Sequence, residues 1–207
     1  MIGIYWDCDG TLMDTEKSYG LAWKEHLSDF GLEISEEETR QWFGIDDRLV
    51  HSFYAKNVDL ENFDKTMASL GKIIEGTLNE KLIFQDAKIL LEETDKRGWT
   101  SACVSASPYG LLKNKLLKAN IYDYFAYVIG GDQVKRNKPY PDIYNKAISE
   151  LQTTKNIVIE DSPPGISSGK ASGSFVVAID RGIFSISELN KADLVVDNLS
   201  IDVFENI

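Results

Sequence analysis

The stretch Ile4-Tyr5-Trp6-Asp7-Cys8-Asp9-Gly10-Thr11-Leu12 decides how the rest of the chain is read. A short apolar run breaks straight into two carboxylates and a glycine. Carboxylates this close repel, and burial raises the cost of ionising both. A divalent cation relieves the conflict, because hard oxygen ligands suit Mg²⁺. The loop therefore reads as built for a metal and for covalent chemistry. Taken alone, it reads equally well as a strand ending in an Asp-Gly turn. The remaining chain has to decide.

The chain has 207 residues, 43% of them hydrophobic and 11% aromatic, enough for one core and a modest inserted unit. Its formal net charge of -11 disfavours nucleic acid and anionic membranes as partners. It leaves room for a small anionic substrate, because a bound cation reverses the field locally. No apolar run approaches the roughly 20 residues of a membrane span. The start, Met1 to Trp6, lacks the features of a signal peptide, so a cytoplasmic protein is expected, as a monomer or weak homodimer. Cys8 and Cys103 lie in apolar strand-like segments and read as reduced core thiols. Flanking carboxylates push a Cys8 thiolate in the wrong direction for a nucleophile.

Two textures divide the sequence. Residues 15 to about 82 read as successive helices. Tyr19, Ala22, Trp23, His26, Leu27 and Phe30 recur at helical spacing, with Gly31 as a stop. Ser35 and Glu38 form a capping-box pattern. His26, on the apolar face, reads as packing rather than chemistry. After a break at Gly44-Ile45-Asp46-Asp47 the apolar stripe resumes, and a longer helix carries Leu60 to Leu78.

Elsewhere strands and helices alternate. Expected strands are Gly3–Trp6, Thr100–Val104, Tyr127–Gly130, Asn156–Ile159, Phe175–Ile179 and Leu194–Val196. Helices Ala87–Arg97, Tyr109–Ala119 and Asp142–Leu151 lie between them. The pattern predicts an α/β, Rossmann-like parallel sheet flanked by helices. Ligands bind such sheets at the carboxyl ends of the strands. Asp7 and Asp9 follow the first strand, Ser105 and Ser107 the second, Lys138-Pro139 the third, and Glu160-Asp161-Ser162 the fourth. Each alone is unremarkable: a loop lysine, a strand-end hydroxyl, a polar turn. Together they describe an acid cluster for a metal beside a cationic, hydroxylic cradle for a phosphate.

In these segments the chain resembles the haloacid dehalogenase superfamily, in its phosphoglycolate phosphatase-like and β-phosphoglucomutase-like branch. Asp7-Cys8-Asp9-Gly10-Thr11-Leu12-Met13-Asp14 matches the first motif and Ser105 the second. Lys138-Pro139-Tyr140-Pro141-Asp142 matches the third, and Glu160-Asp161-Ser162-Pro163-Pro164-Gly165 the fourth. The resemblance implies an α/β core over residues 1–14 and 84–207 with an inserted all-helical cap over 15–83. It implies a Mg²⁺-dependent phosphatase of small phosphomonoesters. Asp7 would be the nucleophile and Asp9 the general acid and base. Mg²⁺ would be held by Asp7, the Asp9 backbone carbonyl, Asp161 and Glu160. Ser105, Lys138 and amides near Cys8, Asp9 and Ala106 would hold the phosphoryl oxygens. Asp14 would cap the first cap helix. Gly44, Arg48 and Tyr19 would face the substrate from the cap, with a surface salt bridge as the competing role for Arg48.

The chain departs from that pattern in places. Gln85-Asp86 stands where relatives have Pro-Gly, which touches a hinge rather than the chemistry. Tyr19 stands where β-phosphoglucomutase has a histidine, which weakens a phosphomutase, the main alternative. Asp9 speaks against dehalogenase chemistry. A non-catalytic binding or regulatory role fits poorly with a full set of reacting groups.

Overall fold

In the computed structural model, residues 1–43, 45 and 47–205 are described. They fall into two compact units, Met1–Asp14 with Asn79–Ile207, and Thr15–Leu78.

The apolar run that opens the chain is β1 (Ile2–Trp6), and it lies at the centre of a sheet ordered β3-β2-β1-β4-β5-β6. The partners are β2 (Thr100–Val104), β3 (Tyr127–Ile129), β4 (Lys155–Glu160), β5 (Phe175–Ile179) and β6 (Leu194–Val196), and every pairing is parallel. Strands this apolar are explained by burial on both faces. Side chains alternate across the pleat. Ile4, Trp6, Cys103, Ile157, Ile159, Val177 and Ile179 point to one core. Tyr5, Ala102, Val104, Val158, Val176 and Ala178 point to the other. The first core is closed by α5 (Gln85–Lys96), α6 (Tyr109–Lys118) and α10 (Ile201–Glu205). The second is closed by α7 (Asp142–Leu151), α8 (Pro163–Ala171) and α9 (Ile186–Leu189). Each large apolar side chain taken fully out of water contributes about 1.5–3 kcal/mol, so both faces hold the sheet.

Chain order reverses at β1, which has β2 on one side and β4 on the other. That is the switch point at which open α/β sheets bind ligands, beyond the carboxyl ends of the strands. Asp7 leaves β1 there, its amide donating to the Ile159 carbonyl at 3.0 Å. Gly10 follows with φ +83°, a conformation that costs an L side chain strain.

The segment 79–83 belongs to the α/β unit. Met13 pairs with Ile83, the Asp14 amide donates to the Leu82 carbonyl at 2.7 Å, and the Phe84 amide to the Leu12 carbonyl at 3.0 Å. This small ladder ties the Asp14 backbone just ahead of the first helix. Thr15, next along, is already in helical conformation, makes no side-chain capping bond, and its carbonyl accepts the Tyr19 amide at 3.0 Å. The Gln85-Asp86 departure is also ordered. Asp86 takes Arg181 on both oxygens at 2.9 and 3.0 Å and accepts the Leu199 amide at 3.0 Å. The guanidinium also reaches the Thr11 carbonyl at 3.1 Å and lies 3.9 Å from the Phe84 ring centroid. Burial works against the charged Asp86 carboxyl, but these donors hold it below the usual carboxylate range.

The second unit is helical: α1 (Glu16–Asp29), α2 (Glu36–Arg40), α3 (Asp47–Tyr54) and α4 (Phe63–Thr77). Ser35 and Glu38 form the expected capping box at α2, and Asn62 caps α4 by accepting the Lys65 amide at 3.1 Å. Trp42 donates to the Tyr54 hydroxyl at 2.8 Å, and Phe53 packs against both rings. His26 is buried between Trp23 and Phe30, and burial lowers its pKa. No helix among the described residues is long and apolar enough to cross a membrane.

Candidate active site

Four strand ends deliver the site. Asp7 follows β1, Ser105 follows β2, Lys138 arrives on the loop before α7, and Glu160 and Asp161 close β4. Asp7, Glu160 and Asp161 are all buried, each offering an oxygen within 4.8 Å of the others. Glycines make the crowding possible. A Cβ on Gly10 would collide with the Asp161 carboxylate, and one on Gly165 with the Glu160 carboxylate.

Lys138 answers the charge. Its Nζ donates to Asp7 Oδ1 at 2.6 Å, Glu160 Oε1 at 2.7 Å and the Val104 carbonyl at 3.0 Å, and it lies over the Tyr144 ring. Burial opposes the ammonium, but Asp7 and Glu160 outweigh it and hold its pKa well above the usual lysine value. Burial also pushes the Asp7 carboxyl up to about 7; Lys138 opposes the rise, while Glu160 and Asp9 add to it. Glu160 is locked in place. Oε1 accepts Tyr144 at 3.0 Å, and Oε2 accepts the Asp161 and Ser162 amides at 3.1 and 3.2 Å. Asp161 accepts the Thr11 hydroxyl at 3.2 Å.

Asp9 faces elsewhere. Its carboxylate is turned from the buried acids toward the loop after β2, taking Ser107 at 2.9 Å and Ser105 at 3.3 Å on Oδ2, and Lys115 on Oδ1. Ser105 in turn accepts the Ser107 amide at 3.0 Å. The Ala106 carbonyl is tied to Asn137 at 3.0 Å, which joins this loop to the Lys138 loop. The Cys8 and Ala106 amides have no acceptor among the described residues. Its hydrogen bond with Cys103, and then burial, push the Cys8 thiol well above its usual pKa, the opposite of an activated nucleophile.

The residues expected at the site from the α/β segments, Asp7, Asp9, Ser105, Ala106, Lys138, Glu160 and Asp161, thus come from adjoining strand ends. Tyr19 and Arg48 belong to the helical unit. Tyr19 is half-buried on α1, and the exposed Arg48 guanidinium stacks 4.4 Å over Phe63. Gly44 lies outside the described residues. Sequence reading missed Lys115 and Tyr144. Lys115 carried a signal: it falls on the buried stripe of Leu112 and Leu116, where a lysine is anomalous.

The acids fit a hard divalent cation. Lys138 supplies one positive charge against three buried carboxylates, and all the donors are oxygens. Asp7, Asp161 and Glu160 would hold Mg²⁺ or orient its waters.

The family model for haloacid dehalogenase-like hydrolase matches residues 4–179. A phosphorylated carbohydrates phosphatase of Thermotoga maritima is 29% identical over 181 residues, covering 84% of this chain and 82% of that protein. A phosphoglycolate phosphatase of Pseudomonas fluorescens is 25% identical over 208 residues, covering 95% of this chain and 76% of that protein. In fold, the β-phosphoglucomutase of Clostridium difficile superposes with a TM-score of 0.79 over 100% of this chain and 96% of that one, at 23% identity. The family match over residues 4–179 and the four strand-end motifs place the chain among the haloacid dehalogenase-like hydrolases.

Proposed function

We propose that the protein is a Mg²⁺-dependent phosphatase of a small phosphomonoester, a phosphorylated carbohydrate or similar metabolite, working through an aspartyl-phosphate on Asp7. The observation that carries this reading is the division between the two aspartates. Asp7 sits buried among the acids and Lys138, while Asp9 turns to the hydroxyls of Ser105 and Ser107. One carboxylate is set to attack, the other to move protons.

In this reading an Asp7 oxygen attacks phosphorus and the bond to the leaving oxygen breaks. Asp9 gives that oxygen a proton, then takes one from the water that attacks the aspartyl-phosphate; phosphate leaves and Asp7 is restored. Lys138 offsets the repulsion between Asp7 and the incoming anion. Ser105 and the amides of Cys8 and Ala106 offer donors to the phosphoryl oxygens. Bound Mg²⁺ would supply charge neutralisation. The helical unit would act as a cap that excludes water during transfer and admits it afterwards.

The relatives named as phosphatases support hydrolysis over a phosphomutase. A panel of phosphomonoesters, with Mg²⁺ and acid-quench trapping of labelled phosphate, tests the reading. Inorganic phosphate released from a sugar phosphate, with label on Asp7, is expected. Isomerised sugar phosphate without release would mean a mutase, and label elsewhere would refute the nucleophile.

A further inference from the structure

Helix α6 buries Leu112 and Leu116 in the core, and Lys115 lies on the same face with its side chain 0% exposed. Taking an ammonium out of water costs several kcal/mol unless it is well paired. A helix that needed only to pack there would carry leucine or methionine. What the lysine reaches explains it. Its stem lies among the core side chains and its Nζ donates to Asp9 Oδ1 and, at 3.2 Å, to the Ser107 hydroxyl. Ser107 and Ser105 hold the other Asp9 oxygen at 2.9 and 3.3 Å. Both oxygens of one carboxylate are therefore fixed by a single segment, from the end of β2 into α6. Asp9 itself stays partly open, its side chain 24% exposed, whereas Lys115 is sealed away from any substrate.

Resting on the role given to Asp9 above, we propose that Lys115 is a positioning residue: a buried cation that holds the Asp9 carboxylate in the one orientation from which it can serve the leaving oxygen and the attacking water. A group that moves protons must sit within hydrogen-bond reach of both. Without Lys115 the Asp9 side chain can take other rotamers, and a displacement of about 1 Å can cost on the order of 100-fold in rate.

The test is a double-mutant cycle of Lys115→Met and Asp9→Asn, with p-nitrophenyl phosphate and Mg²⁺ in rapid-quench single turnovers. Phosphoenzyme formation and hydrolysis are timed separately. An aryl leaving group needs little protonation, so formation should be nearly native in each variant. Hydrolysis should slow on the order of 100-fold in Lys115→Met, with KM little changed. The double variant should be no slower than Asp9→Asn alone, since Lys115 acts through Asp9. Losses that multiply, or native hydrolysis in Lys115→Met, overturn the inference while leaving the role of Asp9 intact. Native hydrolysis in Asp9→Asn overturns both. If Lys115→Met does not fold, Lys115→Arg keeps a cation but displaces it, and the same cycle applies with the same outcomes.

Discussion

Replacing Lys138 by methionine would remove one charge from the buried cluster while nearly keeping its volume. The Nζ lies 2.6 Å from Asp7 and 2.7 Å from Glu160, and no side chain of the three is more than 9% exposed. Removing one partner of such a pair strands a buried charge, a loss of about 3–5 kcal/mol. The pH dependence follows from Asp7. Its folded pKa of about 7 lies above the ordinary aspartate value of 3.8. The stability this difference gives is fully present below the unfolded pKa and is lost as pH rises through the folded one, on the order of 4 kcal/mol in all. Lys138 lowers the folded value, so Lys138→Met raises it further. Native and variant proteins therefore lose stability in parallel up to about pH 7. Above that the native curve levels and the variant keeps falling. Urea unfolding in chelator, with unchanged m-values, should show a larger deficit at pH 9 than at pH 6. An equal deficit at both, or none at pH 9, would refute the pairing of Lys138 with an ionised Asp7.

Asp7→Asn should form no phosphoenzyme, yet melt higher than native protein at pH 8 in chelator, because a carboxyl that ionises reluctantly is gone; a lower melting temperature would contradict this. Chelation should abolish turnover and Mg²⁺ restore it, with Mg²⁺ raising Tm more at pH 8 than at pH 5.5, since carboxylate ligands must be ionised; full activity in excess chelator would sink the metal site. Gly165→Ala should lose about 1–3 kcal/mol by overpacking against the Glu160 carboxylate, measured by chemical denaturation. Arg48→Ala should raise KM for a substrate with a second anionic group and leave a neutral aryl phosphate unchanged; equal effects on both would remove Arg48 from specificity.

Much of the α/β unit was legible in the chain. Strand cores such as Ile2–Trp6 and Phe175–Ile179 stand out because strands buried on both faces read as near-continuous apolar runs. Asp7, Lys138 and Glu160-Asp161 are legible because they follow such runs at the sheet edge where ligands bind. The capping box at Ser35 is a local interaction and is read directly. The backbone partner of Asp14 was not legible, for the opposite reason. Its backbone is claimed by Leu82, a partner distant in sequence that local spacing cannot reveal.

What the amino-acid order determined, then, is periodicity, punctuation and the chemistry placed at strand ends, all set within a few residues by backbone geometry. The tertiary structure decided which polar atoms meet. Lys115 is 106 residues from Asp9 and Tyr144 is 16 from Glu160. Helical spacing tells which face each occupies but not which carboxylate lies opposite. The Asp86–Arg181 clasp spans 95 residues and replaces, by an ion pair, a turn that local sequence reads only as a departure. Hydrogen bonds and ion pairs are short-ranged and directional, so they are specified only once packing of the sheet and its helices has brought the groups together.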